Sequence, residues 1–117
     1  MDNIRNPKVA VLLAAYNGMQ WIEEQVRSIF EQEFVDVTLF ISVDCSSDGT
    51  EKWVSALAES HPNVVMLPYG QRFGGAGANF FRLIRDTDIT DYDAIAFSDQ
   101  DDIWLPDKLK RACYFIK

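Results

Sequence analysis

Apolar and polar positions alternate along the chain in a way that predicts strands and helices in turn. Lys8–Ala15 is a nearly unbroken apolar run rich in Val and Leu, which is typical of a strand covered on both faces. Shorter apolar runs predict further strands at residues 37–43, residues 64–67 and Ala94–Ser98. Residues 1–7 are polar and predict an N-terminal tail, so the folded part is expected to be residues 8–117.

Between the strands, apolar residues recur at helical spacing. The first predicted helix has an apolar face of Ile22, Val26, Ile29 and Phe30. Its opposite, polar face is made of Glu23, Glu24, Gln25 and Arg27. The second predicted helix has an apolar stripe of Trp53, Val54, Leu57 and Ala58. Residues 48–51 precede that stripe and resemble a helix cap, with Glu51 three residues after Asp48.

Two more helices complete the pattern and define the fold class. Residues 79–85 predict a helix that points Phe80, Leu83 and Ile84 inward. Residues 106–116 predict a helix with Pro106 in its first turn and an inner face of Leu109, Ala112, Cys113 and Ile116. Four strand–helix units joined by right-handed crossovers predict an α/β fold, a parallel sheet with helices on both faces. The last helix has no closing loop after it, so we expect a truncated domain, the front part of a longer protein.

Composition narrows the class of protein. The chain has 117 residues, 48% apolar residues and a formal charge of −7, which predicts one globular domain. The absence of a basic stripe argues against nucleic-acid binding. Cys45 and Cys113 do not make a disulfide framework, and His61, at a predicted helix end, is expected to be solvated or to cap that helix rather than to be catalytic. No leader and no apolar run near ~20 residues is seen, which predicts a soluble, cytoplasmic protein.

Unusual residues follow each predicted strand. Tyr16 and Asn17 follow the first strand, Asp44 the second, a glycine-rich loop with Arg72 the third, and the acidic residues 99–102 the fourth. Because parallel strands share one carboxyl edge, we expect these residues to gather in one crevice.

The residue types in this crevice suit a nucleoside diphosphate and a metal ion. Asp99 and Asp101 are two apart, so in extended backbone their carboxylates point the same way and favour Mg²⁺ or Mn²⁺. Asp44 would accept an N–H from a uracil-type or thymine-type base, Tyr16 would pack on that base, and Arg72 would contact base or phosphate.

Simpler interpretations stay open for several of these residues. Tyr16 also fits a strand edge, and Arg72 also fits a surface charge. Asp48 and Asp107 fit helix-cap and helix-dipole roles, and Asp102 fits either a cap or a second metal contact. Trp104 fits the core or a site wall.

At these positions the sequence resembles the family 2 glycosyltransferases. Residues 15–18 (AYNG) match the family's Tyr-Asn after the first strand, and residues 44–50 (DCSSDGT) are similar to its Asp-Gly-Ser-Thr-Asp-Gly-Thr segment. Residues 99–102 (DQDD) look like its Asp-x-Asp metal motif. Residues 98–109 (SDQDDIWLPDKL) look most like the rhamnosyltransferase-type branch that builds bacterial surface polysaccharides. A second aspartate is usual in the family where this chain has Val43.

The resemblance implies a Rossmann-like GT-A nucleotide-diphospho-sugar transferase fold and residues 8–117 as its donor-binding part. The implied nucleotide-sugar site comprises Ala15, Tyr16, Asn17, Asp44, Arg72, Asp99 and Gln100, and the implied metal ligands are Asp101 and Asp99, with Mn²⁺ or Mg²⁺. The implied reaction is inverting transfer of a sugar, for example rhamnose, from a dTDP- or UDP-linked donor to a saccharide acceptor. The general base is expected in the missing half, so the piece alone is expected to be inactive.

Several alternatives accompany this prediction. A non-catalytic nucleotide-sugar-binding or regulatory module on the same scaffold stays open, as do a homodimer and association of the longer protein with the inner face of the membrane. A receiver domain needs an acidic pair after the first strand, where this chain has Tyr16 and Asn17. A nucleotidyltransferase needs a glycine-rich, basic loop at that place, which this sequence does not have.

Overall fold

The computed structural model describes the backbone of residues 6–99 and 102–116, and the side chains of these residues except 113–116. Strands and helices alternate through this part of the chain, as the sequence predicts. The strands are β1 (Lys8–Ala15), β2 (Asp36–Val43), β3 (Val64–Met66) and β4 (Ala94–Ser98). The helices are α1 (Ile22–Phe30), α2 (Thr50–Ser60), α3 (Ala76–Asp86) and α4 (Lys108–Ile116). The predicted α/β class is confirmed.

The four described strands form one parallel sheet in the order β3-β2-β1-β4. β1 lies inside the sheet and pairs with β2 from Lys8 opposite Asp36 to Ala15 opposite Val43. Its residues from Val9 to Ala15 are all buried, which explains the unbroken apolar run in the sequence. The carboxyl ends of β1, β2 and β4 therefore meet at one edge of the sheet.

Helices cover the sheet on both faces. Alternate residues of β1 point to opposite sides, so Val9, Val11 and Leu13 join one apolar cluster while Ala10 and Leu12 join another. The first cluster includes residues of α1 and α2 together with Trp104 and Leu109, and the second includes Leu83 of α3. The predicted arrangement of helices on both faces is confirmed, and Trp104 lies in the core.

The third helix differs from its prediction in its start and in its buried face. α3 begins at Ala76, three residues before the predicted start at residue 79. Ala and Gly at its first positions are compatible with a helix but give no periodic apolar signal, so the sequence pattern did not reveal this start. Ile84 is 51% exposed, so the prediction that it points inward was wrong. The buried face of α3 instead carries Asn79 and Arg82 beside Leu83, because these two polar side chains hydrogen-bond to groups at the sheet.

Three further predictions about helices were wrong. α4 begins at Lys108, since Pro106 and Asp107 form a turn before it, and Ala112 is exposed. Gln25 of α1 is 1% exposed and not on the outer face, because its amide bonds to the end of β4. Asp48 and Glu51 do not form a capping box, because the N-cap of α2 is Gly49, which places Glu51 two residues after the cap instead of three. The predicted inner positions of Cys113 and Ile116 lie outside the described side chains.

Two remaining predictions concern a histidine and a membrane span. His61 follows α2, and its Nδ1 lies 3.2 Å from the Leu57 carbonyl oxygen, as expected for a residue that caps a helix end. Its ring stacks on Phe30, with 5.6 Å between the ring centroids. Across residues 6–99 and 102–116, none of the helices has the length and apolar character needed to cross a membrane.

Candidate functional site

A cavity of about 320 Å³ opens at the carboxyl edge of the sheet. Five of the predicted site residues line it: Ala15, Tyr16, Asp44, Arg72 and Asp99. The remaining wall is made by Ala14 and by Gly74, Gly75, Ala76 and Asn79 at the start of α3. The volume is at the lower end of the range of small-molecule sites, about 300–1,000 Å³. The strand-end rule therefore placed Tyr16, Asp44, Arg72 and Asp99 correctly in one cavity, and Ala15, implied by the family resemblance, lies beside them.

Asp44 is a buried carboxylate, with 4% of its surface exposed. Its Oδ1 accepts hydrogen bonds from the backbone N–H of Cys45 at 2.9 Å and of Phe73 at 2.8 Å. Its Oδ2 accepts one from the N–H of Gly74 at 3.1 Å. These donors compensate the loss of water around the charge. Since a carboxylate has about four acceptor positions, Asp44 keeps capacity to accept a hydrogen bond from a ligand in the cavity.

The loop between β3 and α3 is shaped by glycines. Gly70 and Gly74 have φ values of +126° and +85°, which L side chains rarely adopt. This backbone turns the N–H groups of Phe73 and Gly74 towards Asp44 and brings Arg72 into the cavity wall. The loop therefore combines a positive side chain with backbone that a ligand can approach closely.

α3 begins at the cavity without a side-chain cap. Its N-cap residue is Gly75, which makes no side-chain hydrogen bond, and Ala76 is its first residue. Gly75 and Ala76 both line the cavity. The N–H groups of a first helical turn have no partner within the helix and favour an anion. With Arg72 in the same wall, this part of the cavity is suited to phosphate groups.

A buried polar network lies beneath the cavity, on the α3 side of the sheet. Asn79 donates to the carbonyl oxygens of Ser42 at 3.0 Å and Ala15 at 3.4 Å, and its Oδ1 accepts from the Ser42 hydroxyl. Arg82 donates to Ser42 Oγ at 2.9 Å and to the Pro68 carbonyl oxygen at 2.7 Å. These residues were missed in the sequence because polar side chains at helical spacing normally indicate a solvated face.

The Arg82 guanidinium also reaches the glycine-rich loop. It lies 5.3 Å from the centre of the Phe73 ring, and its Nε donates to Asp86 Oδ2 at 3.2 Å. Phe73 is the residue whose N–H binds Asp44. Arg82 thus connects α3 and the loop to the carboxylate in the cavity.

The acidic segment after β4 is described in part. Asp99 is exposed and lines the cavity, and its carbonyl oxygen accepts the N–H of Asp102 at 3.1 Å. Gln100 and Asp101 lie outside the described residues, so their predicted roles stay predictions. Within the described part of the chain there is no group of three metal-binding side chains. The donors that Asp99 and Asp102 offer are carboxylate oxygens, which fit a hard divalent cation such as Mg²⁺ or Mn²⁺.

Asn17 and Asp48 support the turns beside the cavity. Asn17 has a φ of +44° and is not among the described residues that line the cavity; its Oδ1 accepts the N–H of Ser47 at 2.7 Å. Asp48 Oδ1 accepts the N–H of Thr50 at 3.0 Å, and Oδ2 accepts that of Met19 at 3.1 Å. Desolvation acts to raise the pKa of Asp48, but the hydrogen bond from the Thr50 hydroxyl, together with these two backbone N–H groups, outweighs it and lowers the pKa below its ordinary value of 3.8. Asp48 therefore holds the start of α2 next to the turn after β1.

Asp107 lies directly before α4. Its Oδ2 is 3.9 Å from the Arg111 guanidinium, and its carbonyl oxygen accepts the Arg111 N–H at 2.9 Å. Both observations fit the helix-terminus interpretation of this residue.

Comparisons with known proteins agree with this geometry. The chain is 52% identical over 101 residues to the dTDP-rhamnosyl transferase RfbG of Shigella flexneri, covering 86% of this chain and 35% of that protein. The match confirms the predicted likeness to rhamnosyltransferases, and the chain spans about a third of that relative's length.

Two solved structures are similar in fold. TarS 1-349 of S. aureus superposes with a TM-score of 0.77 at 25% identity, covering 93% of this chain and 32% of that one. The mannosyltransferase PcManGT of Pyrobaculum calidifontis, in complex with GDP-Man and Mn²⁺, gives 0.75 at 28% identity, covering 95% and 32%. With the parallel sheet and its helices, these neighbours confirm the predicted GT-A fold. Residues 10–117 match the family described as Glycosyl transferase family 2, and the chain belongs to that family.

Proposed function

We propose that the cavity binds the nucleoside diphosphate of a sugar donor, and that the longer protein transfers the sugar to a saccharide acceptor in polysaccharide synthesis. One observation carries the proposal: a buried carboxylate, Asp44, shares a cavity with an exposed tyrosine, an arginine and the uncapped start of α3. A nucleotide presents a base with N–H donors, a flat ring and a diphosphate, and each of these has a suitable partner in that wall.

Asp44 is the proposed base-contacting residue. The hydrogen bonds from Cys45, Phe73 and Gly74 fix its carboxylate in one orientation before any ligand binds. A carboxylate held in this way accepts the imide N–H of thymine or uracil at low entropic cost. Tyr16 is 49% exposed at the rim of the cavity, where its ring can pack on the base.

Arg72 and the start of α3 are the proposed diphosphate site, and Asp99 and Asp101 would hold a divalent cation, Mn²⁺ or Mg²⁺. A bound cation supplies Lewis-acid stabilisation of the charge on the departing diphosphate. Arg72 and the first N–H groups of α3 would act on the same charge. The pyrimidine donor dTDP-rhamnose is proposed because this chain is similar to a dTDP-rhamnosyl transferase.

The transfer itself is proposed for the longer protein, with inversion. A base outside residues 1–117 would take the proton of an acceptor hydroxyl, and the hydroxyl oxygen would then displace the nucleoside diphosphate from the anomeric carbon. The 117-residue chain is expected to bind donor without transferring sugar. The saccharide acceptor, a homodimer and association with a membrane surface stay predictions for the longer protein.

Calorimetric titration of the 117-residue chain with dTDP, UDP and GDP, each with and without Mn²⁺, tests the proposal. We expect dTDP to bind best, and Asp44→Asn to weaken it by roughly tenfold or more, as loss of a charge-assisted hydrogen bond predicts. Asp91→Asn is the matched control, because Asp91 is exposed and lies before the amino end of β4, whereas the cavity is at the carboxyl ends of the strands. Equal binding of dTDP by the Asp44→Asn and Asp91→Asn variants would overturn the assignment of Asp44.

Turnover in the longer protein separates an enzyme from a binding module. We expect it to release dTDP from a dTDP-sugar in the presence of a divalent cation and a saccharide acceptor. Donor binding without any release of dTDP, across a panel of acceptors, would favour the non-catalytic alternative.

A further inference from the structure

A row of buried polar side chains runs along the inner side of α1 and just beyond its end. Gln25, Ser28 and Gln32 are 1%, 6% and 7% exposed. Their spacing of three and four residues places them on one face of a helix. All three bind the same stretch of chain, residues 98–109, which contains the acidic segment after β4.

The contacts at the start of this stretch come from Gln25. Its Nε2 donates to Ser98 Oγ at 2.9 Å and also to the carbonyl oxygen of Asp99. Ser98 is itself fully buried, while Asp99 lines the nucleotide cavity. Gln25 therefore holds the backbone at the point where the chain leaves β4 and enters the cavity wall.

The contacts at the end of the stretch come from Ser28 and Gln32. Ser28 Oγ accepts the N–H of Trp104 at 3.1 Å and donates to the Gln25 carbonyl oxygen at 2.7 Å. Gln32 Nε2 donates to the Leu105 carbonyl oxygen at 2.6 Å, and Gln32 Oε1 accepts the N–H of Leu109 at 2.9 Å. The row thus forms hydrogen bonds to the chain both before and after residues 100–101.

We infer that Gln25 and Ser28 are positioning residues that hold the backbone at Asp99 and at Trp104 relative to the nucleotide cavity, and so determine the metal-dependent part of donor binding. The inference rests on the proposed function, because it concerns Asp99, a carboxylate proposed to hold the cation. Most of the contacts end on backbone N–H and carbonyl groups, so they fix the path of the chain whatever its side chains are. Trp104 and Leu109 already supply apolar packing for this stretch, so packing alone does not require an amide at position 25.

The test separates cation binding from nucleotide binding. Gln25→Leu removes the donor and keeps a side chain of similar size, and Gln20→Leu makes the same change at an exposed glutamine before α1. Mn²⁺ binding to the 117-residue chain is followed by the electron paramagnetic resonance signal of free Mn²⁺. The dissociation constant of dTDP is measured by calorimetry with and without Mn²⁺.

We expect Gln25→Leu to reduce the enhancement of dTDP affinity by Mn²⁺ roughly tenfold, about the effect of one lost interaction of 1.4 kcal/mol. Mn²⁺ binding should weaken in parallel, while dTDP affinity without metal and all values for Gln20→Leu stay within about twofold of the parent. Ser28→Ala, which removes only the contact to Trp104 and the bond within α1, should give a smaller loss of the same kind. It also serves as the second variant if Gln25→Leu does not fold.

Two results would overturn the inference. One is an unchanged Mn²⁺ enhancement in folded Gln25→Leu or, where only Ser28→Ala folds, in that variant. The other is an equal loss of dTDP affinity with and without metal, which would show a general structural role. Failure of the proposed function looks different, because the parent chain itself would then bind no dTDP.

Discussion

Replacing Arg82 with methionine removes a buried charge that connects α3 to the glycine-rich loop. Only 5% of Arg82 is exposed, and its guanidinium donates to Ser42 Oγ and to the Pro68 carbonyl oxygen. Methionine keeps the apolar stem, so the change isolates the head group. It also removes the cation from beside the Phe73 ring.

The expected cost follows from the contacts that are left without partners. Ser42 keeps its hydrogen bond to Asn79, but the described structure offers the Pro68 carbonyl oxygen no other side-chain donor. A hydrogen bond to a charged group is worth about 1.5–3 kcal/mol, and a cation–π contact about 0.5–2 kcal/mol. Relief of the desolvated charge offsets part of this sum. We expect the free energy of unfolding to fall by about 2–4 kcal/mol, or the melting temperature by roughly 10 °C.

Urea and thermal unfolding followed by circular dichroism measure this effect. Arg85→Met is the matched control, because Arg85 lies on the same helix with 55% of its side chain exposed and bonds only to Asp86 among the contacts described. We expect no measurable change in the control, as is usual for exposed ion pairs. A melting temperature for Arg82→Met within about 2 °C of the parent would refute the reasoning, because buried and exposed arginines would then be equivalent.

Three further changes test the loop, the turn and the independence of the two polar networks. Gly74→Ala should lower the free energy of unfolding by about 1–2 kcal/mol because φ is +85°, even though an added Cβ would meet nothing within 4 Å, whereas Gly77→Ala in the helix should raise it by up to ~1 kcal/mol. Urea unfolding that gives the same sign for both variants would contradict this. Asp48→Asn should be less stable than the parent at neutral pH, since a lowered folded pKa gives stability that is fully present above the unfolded value near 3.8. Urea unfolding should show the difference disappear as the pH falls through the lowered folded pKa, and a pH-independent difference would argue against a role of the charge. Gln25 and Arg82 have separate hydrogen-bond partners, so the changes in unfolding free energy caused by Gln25→Leu and Arg82→Met should add within about 0.5 kcal/mol in the double variant. A larger deviation from additivity would indicate that the two residues belong to one network.

The sequence predicts the strands best where an apolar run lies between two polar turns. The bounds of β1 and β4 were predicted to the residue, because an apolar run between polar turns leaves little choice of limits. The start of α3 was missed by three residues, since Ala and Gly at its first positions carry no amphipathic signal. The strand-end rule placed Tyr16, Asp44, Arg72 and Asp99 in one cavity because it depends only on strand order and direction.

Polar side chains that face inward could not be predicted in the same way. Gln25 and Arg82 are of residue types that normally lie on the solvated face of a helix. Their partners, which are Ser98 and Asp99 for Gln25 and Ser42 for Arg82, become evident only in the three-dimensional structure. Asn17, predicted as a site residue from its place after β1, accepts the N–H of Ser47 with its amide oxygen, and its role in binding stays a prediction. One signal in the sequence could have indicated them: two polar residues three or four positions apart on the same helix face as a buried apolar residue, such as Ile29 in α1 or Leu83 in α3.

The end of a parallel strand poses a physical problem that these inward polar residues solve. Where the chain leaves the sheet, carbonyl oxygens lose their ladder partners while still screened from water, and each needs another donor. Arg82 of α3 supplies a donor to the Pro68 carbonyl oxygen after β3, while Asn79 and Gln25 add a side-chain donor to the Ala15 and Asp99 oxygens, each of which also accepts one backbone N–H. Leucine at position 82 would leave the Pro68 oxygen without this donor, at a cost of about 1–3 kcal/mol. Hydrogen bonding to the strand ends therefore explains why amide and guanidinium groups lie on the inner faces of α1 and α3, and the same bonds connect these helices to the cavity wall that contains Asp44 and Asp99.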